Sequence, residues 1–127
     1  MNINTKHPNR QRLITAWTHE RQASTAALRR DDLSSAWAHL ERAHILSQPM
    51  AGRHVRTHLA MLRFAVSNRR PHEVAGQVFR TLVAAPGTWS GRYPLGNSGG
   101  ADVSAFAPMT LPADLRQLLE PDLEAAL

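Results

Sequence analysis

The sequence predicts an all-α protein: a compact antiparallel bundle of about four helices, a long Gly/Pro-rich loop and a short C-terminal helix. Three observations predict it. Apolar residues recur at three- and four-residue steps through about the first 85 positions, and no stretch alternates as a half-buried strand does. Short polar links separate the periodic segments, so each helix must turn back along its predecessor. At 127 residues the chain (1–127) has the size of one domain and can bury one core without disulfides.

The first helix is expected at about 9–30, where Leu13, Trp17, Glu20, Ser24, Ala27 and Leu28 share a face. Asp31 and Asp32 supply the turn and the N-cap of a second helix ending near 47. Its inner stripe is Leu33, Ala36, Trp37, Leu40, Ala43 and His44. Gln48-Pro49 stops it, because the residue before proline is biased away from helical angles. A third helix is expected from about 51 to 68. Pro71 then fits the first turn of a fourth, where its missing N–H costs nothing, and Pro86-Gly87 ends that helix.

From about 86 to 111 the pattern breaks. Gly87, Gly91, Gly96, Gly99 and Gly100, with Pro86, Pro94 and Pro108, leave a segment long enough to be a lid. Trp89, Tyr93, Val103, Phe106 and Met109 give it apolar anchors for packing back onto the bundle. Its glycine N–H groups, with Arg92, form a possible cradle for a small anion, although the spacing matches no P-loop or dinucleotide fingerprint. A last helix is expected at about 112–119, interrupted by Pro121.

Composition removes several function classes. No cysteine is present, which excludes thiolate zinc fingers, iron–sulfur centres and thiol enzymes. No apolar run approaches the roughly 20 residues of a membrane span, and the polar start has no secretory h-region, so a soluble, cytoplasmic protein is expected. The net charge of +5 comes almost wholly from arginine, Lys6 being the sole lysine. The arginines are spread along the chain, and Arg29-Arg30 and Arg69-Arg70 fall at expected helix C-termini, where cations suit the helix dipole. That scatter disfavours a nucleic-acid interface, which needs a continuous basic patch.

The informative residues are polar groups on apolar faces. His54 and His58 are four apart, so their imidazoles stack one turn above each other on the side of Val55, Met61, Leu62, Ala65 and Val66. That spacing lets two ring nitrogens meet one metal ion. The intervening Val-Arg-Thr lacks the glutamate of the zinc-protease motif. On the second helix, Glu41-x-x-His44 matches the pair used by carboxylate-bridged metal bundles, and His44 lies on the inner stripe. Glu20 sits mid-stripe on the first helix, where a buried carboxylate needs a cation or a donor; Arg42 and Arg53 are alternatives to a metal. The expected metal set is therefore His44, His54, His58, Glu41 and Glu20. Imidazole and carboxylate without thiolate suit Zn, Fe or Mn, among other transition ions. His39 faces nearly the opposite way from His44, His19 points to the flank, and His72-Glu73 reads as a charge complement to a helix start, with Gln77 facing the same cavity.

The string from Trp37 to Gln48 (WAHLERAHILSQ), His54-x-x-x-His58 with Met61-Leu62, and Gly91-Arg-Tyr-Pro-x-Gly-Asn97 resemble a small bacterial family known only as a domain of unknown function. The resemblance spans roughly 13–119. It brings no established activity and no catalytic residues; an association with metal-resistance genes is what it implies about role.

The leading expectation is metal handling or metal-dependent catalysis at a His/Glu site inside the bundle. Asp31-Asp32-Leu33 with Ala36, Leu40 and Ala43 echoes half of a tetratricopeptide-type repeat, which gives the alternative of an interaction module with structural histidines. An arginine-rich nucleic-acid binder is the third reading.

Overall fold

A computed structural model of the chain describes residues 7–79 and 110–124. Its elements are α1 (His7–Arg29), α2 (Leu33–Ser47), α3 (Ala51–Ser67), α4 (71–79) and α5 (Ala113–Glu124). No strand occurs among the described residues.

The links explain why the helices fold back on one another. After α1, the N–H of Asp32 bonds Ala27 C=O at 3.0 Å and that of Asp31 bonds Leu28 C=O at 3.0 Å, while Asp31 takes a φ of 58°. This is the paired closure that ends a helix through one left-handed residue, a conformation aspartate tolerates. Asp32 then caps α2, accepting from the Ser35 N–H at 3.1 Å, as its position predicts. The end of α3 repeats the device with Arg69 at φ 53°: its N–H bonds Val66 C=O, and that of Arg70 bonds Ala65 C=O. Arg70 C=O then accepts from Val74 N–H at 2.9 Å, so Pro71 occupies the first helical position.

α1 runs antiparallel to α2. Leu13 meets Ile45 and Leu46 in one apolar cluster, and the Ser24 hydroxyl donates to Ala36 C=O at 2.8 Å. α3 runs antiparallel to α2 on another side, where Leu40 packs with Met61 and Phe64 and the Trp37 and Phe64 rings lie 5.2 Å apart. α5 closes the first cluster with Leu115 and Leu119, joined by Leu111 and Met50. Two apolar clusters thus lie along α2, and in sequence Ala43 and His44 fall between the residues α2 gives to each. His44 is therefore held between two rigid anchors.

Two expectations are corrected in detail, and a third falls where the structure is not described. α5 continues to Glu124 with Pro121 inside it, because proline removes only one i→i−4 bond and its fixed φ is helical. Leu28 and Val66, placed on inner stripes, are 40% and 58% exposed, whereas Phe64 and Thr57 are buried. The inner face of α3 is rotated accordingly. The Gly/Pro-rich segment and its anion cradle at 91–100 lie outside the described residues, as does α4 beyond 79.

Candidate metal centre

α2 and α3 bring three imidazoles to one point. His44 sits near the end of α2, while His54 and His58 share the inner face of α3 one turn apart. Their relative exposures are 3%, 5% and 2%. The Nε2 atoms of His44 and His54 are 2.9 Å apart, those of His44 and His58 3.1 Å, and those of His54 and His58 3.2 Å. Ring centroids are 4.7–4.9 Å apart and the rings are tilted or edge-on to one another, so only the nitrogen tips converge.

Hydrogen bonding within the trio cannot account for this triangle. Each Nε2 offers one in-plane position, filled by a proton or by a lone pair. With three members and two states, at least two must be alike, so at least one short contact opposes two lone pairs or two N–H groups. A cation at the centre removes the conflict by accepting all three lone pairs. The distances also fit one. An ion about 2.0–2.1 Å from each imidazole nitrogen spaces them about 3.3 Å apart in a tetrahedron and about 2.9 Å on an octahedral face. Either arrangement leaves coordination positions open.

Two features hold the nitrogens in the form a metal needs. The Nδ1–H of His58 donates to Oε1 of Gln77 at 2.7 Å, which leaves Nε2 as the bare nitrogen. Gln77 comes from α4 and has no exposed surface. Burial, and secondarily the charge of His58, pushes the His54 imidazole down to about 3, so this ring is neutral at neutral pH.

Below the triangle a hydroxyl chain ties α3 to its neighbours. The Trp17 indole N–H donates to Thr57 Oγ1 at 2.9 Å, Thr57 donates to Arg53 C=O at 2.8 Å, and Ser47 donates to His44 C=O at 2.8 Å. Sequence reasoning missed Ser47 and Thr57 as interior residues. Both are fully buried, but Ser and Thr are ordinary on either face of a helix, and the only available signal was their phase with His54 and His44.

The two acids proposed from sequence do not join the triangle. Among the described residues, the donor atoms close enough together to share an ion are those of His44, His54 and His58. Glu20 instead takes the His39 Nδ1–H at 2.6 Å on Oε2 and the Arg42 Nε–H at 2.9 Å on Oε1. Arg42 continues to Asp114 of α5. The reason is angular: at about 100° per residue, Arg42 and His44 point to nearly opposite sides of α2. Glu20 reaches the side facing α1; the triangle is on the side facing α3. Glu41 accepts from the Trp37 indole N–H at 2.9 Å. Burial raises its carboxyl, the Trp37 bond opposes that, and the nearby Glu73 raises it further. Glu73, read from sequence as a charge complement to a helix start, is buried at 8% exposure.

Residues 11–119 match the family described as "Protein of unknown function (DUF3703)". The chain belongs to that family. The match covers every helix that contributes to the triangle. No curated protein and no solved structure matches the chain. No described helix is long and apolar enough to cross a membrane.

Proposed function

We propose that the protein binds one transition-metal ion through Nε2 of His44, His54 and His58. The observation that carries this reading is the mutual 2.9–3.2 Å spacing of three buried like nitrogens, which a central cation explains. Three imidazoles without thiolate or carboxylate favour Zn, with Fe or Mn needing oxygen donors that the triangle does not contain. Three protein ligands plus open positions is the arrangement of exchangeable or catalytic sites rather than closed structural ones. The role is accordingly metal handling or metal-assisted chemistry, in which the ion supplies Lewis acidity. Gln77 positions His58, and the partnership of Glu41 with Trp37 leaves its second carboxylate oxygen for other contacts.

Elemental analysis of untagged protein tests this reading. One equivalent of metal per chain is expected after loading with zinc and dialysis, and none in His54→Ala or His58→Ala. Wild-type protein that emerges metal-free, yet folded, would refute the proposal and favour structural histidines in an interaction module.

A further inference from the structure

A second feature lies outside the histidine triangle. α1 and α3 both pack on α2, and between them runs a groove of about 760 Å³ whose floor includes Leu40 and Phe64. Leu59, 49% exposed, stands on its wall. That volume is within the range of small-molecule sites, roughly 300–1,000 Å³, and the groove has an apolar floor.

Its charged groups carry one sign. Arg21 enters from α1, and Arg56 and Arg63 from α3. No carboxylate pairs with any of the three among the described residues, whereas Arg42 has two. Arg21 lies over the Trp17 ring, its guanidinium carbon 5.4 Å from the centroid, which fixes its plane at the mouth of the groove. Arg21 of α1 and Arg56 of α3 line the same groove, and burial, then the proximity of Arg56, lower the Arg21 guanidinium from its ordinary value. Like charges that share one groove are relieved by an anion bound between them. Guanidinium forks match the paired oxygens of carboxylate or phosphate.

We propose that this groove binds an organic anion with an apolar body, its carboxylate or phosphate head between Arg21 and Arg56 and its body along Leu40, Leu59 and Phe64. The ligand class follows from charge complementarity at the mouth and apolar surface beyond it. No triangle histidine lines the groove, so the proposal stands independently of metal binding.

Calorimetric titration of the full chain with dodecanoate, below its micelle concentration, tests the proposal. Saturable one-to-one binding is expected, weakened at least tenfold in Arg21→Gln/Arg56→Gln and abolished by Leu59→Glu. Dodecyltrimethylammonium, with the same tail and opposite charge, should not saturate the site. Dodecyl phosphate in parallel separates a preference for phosphate from one for carboxylate. Circular dichroism and melting of each variant confirm that the fold is kept, since Arg56 and Leu59 are exposed. Equal binding of the cationic amphiphile, unchanged binding in the double variant, or binding of an acidic helical peptide but not of dodecanoate would overturn it.

Discussion

On the side of α2 that faces α1 and α5, Glu20, His39, Arg42 and Asp114 bring both signs of charge together; on the side that faces α3, three like imidazoles meet. Both clusters bury polar groups, and each buried group needs a partner. In the first, His39 and Arg42 meet acceptors within the protein, and the carboxylate of Glu20 is satisfied at both oxygens. In the second, three like ring nitrogens crowd one point at spacings of 2.9–3.2 Å. One cluster is complete without a ligand. The other has the spacing that a shared cation would explain, and on the proposed reading this contrast separates a structural polar network from a binding site.

The contrast makes graded predictions. The largest effect is expected from His54→Ala. Loss of a ligand should cost more than the roughly 10–100-fold in metal affinity that loss of an outer partner costs. Competition against a chromophoric chelator reads this directly, and the zinc-induced rise in melting temperature should vanish with it.

Next in size is the pH dependence of the metal-free protein. The His54 imidazole falls from 6.5 to about 3 on folding, so the unfolded chain takes up the proton first. Stability from this group is therefore fully present above about pH 6.5 and is lost as pH falls toward 3. The slope approaches about 1.4 kcal/mol per pH unit, on the order of 5 kcal/mol over the whole window. Urea unfolding between pH 7.5 and 4.5 in the presence of a chelator should show the decline. His54→Phe should flatten it.

Gln77→Ala should weaken zinc binding about 10–100-fold by releasing the tautomer of His58, while Gln77→Glu, which keeps the acceptor, should retain most of the affinity. Equal loss in both variants would assign Gln77 to packing alone. The smallest effect is expected on the other side of α2. Glu20→Gln should cost about 1–2 kcal/mol of stability, through weakened charge-assisted bonds to His39 and Arg42, and leave the metal stoichiometry unchanged. Metal loss in that variant would erase the distinction between the clusters.

The helices were legible because caps and prolines are local signals: Asp32 and Pro71 act on residues next to them, and the structure places helix boundaries beside each, whereas the stop near Pro49 comes although Gln48 keeps right-handed helical angles. His54 and His58 were legible for the same reason, since a four-residue spacing places both on one face whatever lies opposite. The expected union with Glu20 needed the rotation of α1 about α2, a tertiary quantity no local pattern encodes. Glu20 reached the core stripe as expected but met Arg42, one of the alternatives its burial had raised. Phe64 and Thr57 mark the same limit on α3, where the inner face is rotated from the one the hydrophobic pattern suggested. Gln77 was noted only in passing, because glutamine is equally common on surfaces, and its bond to His58 depends on how α4 packs.

X-ray absorption on the zinc-loaded protein tests the central claim most directly, because it reports the atoms around the ion. The account predicts three imidazole nitrogens at about 2.0–2.1 Å, with ring scattering beyond them, and water oxygen completing the shell. A shell of oxygen donors alone, or a spectrum unchanged in His44→Ala, would contradict it.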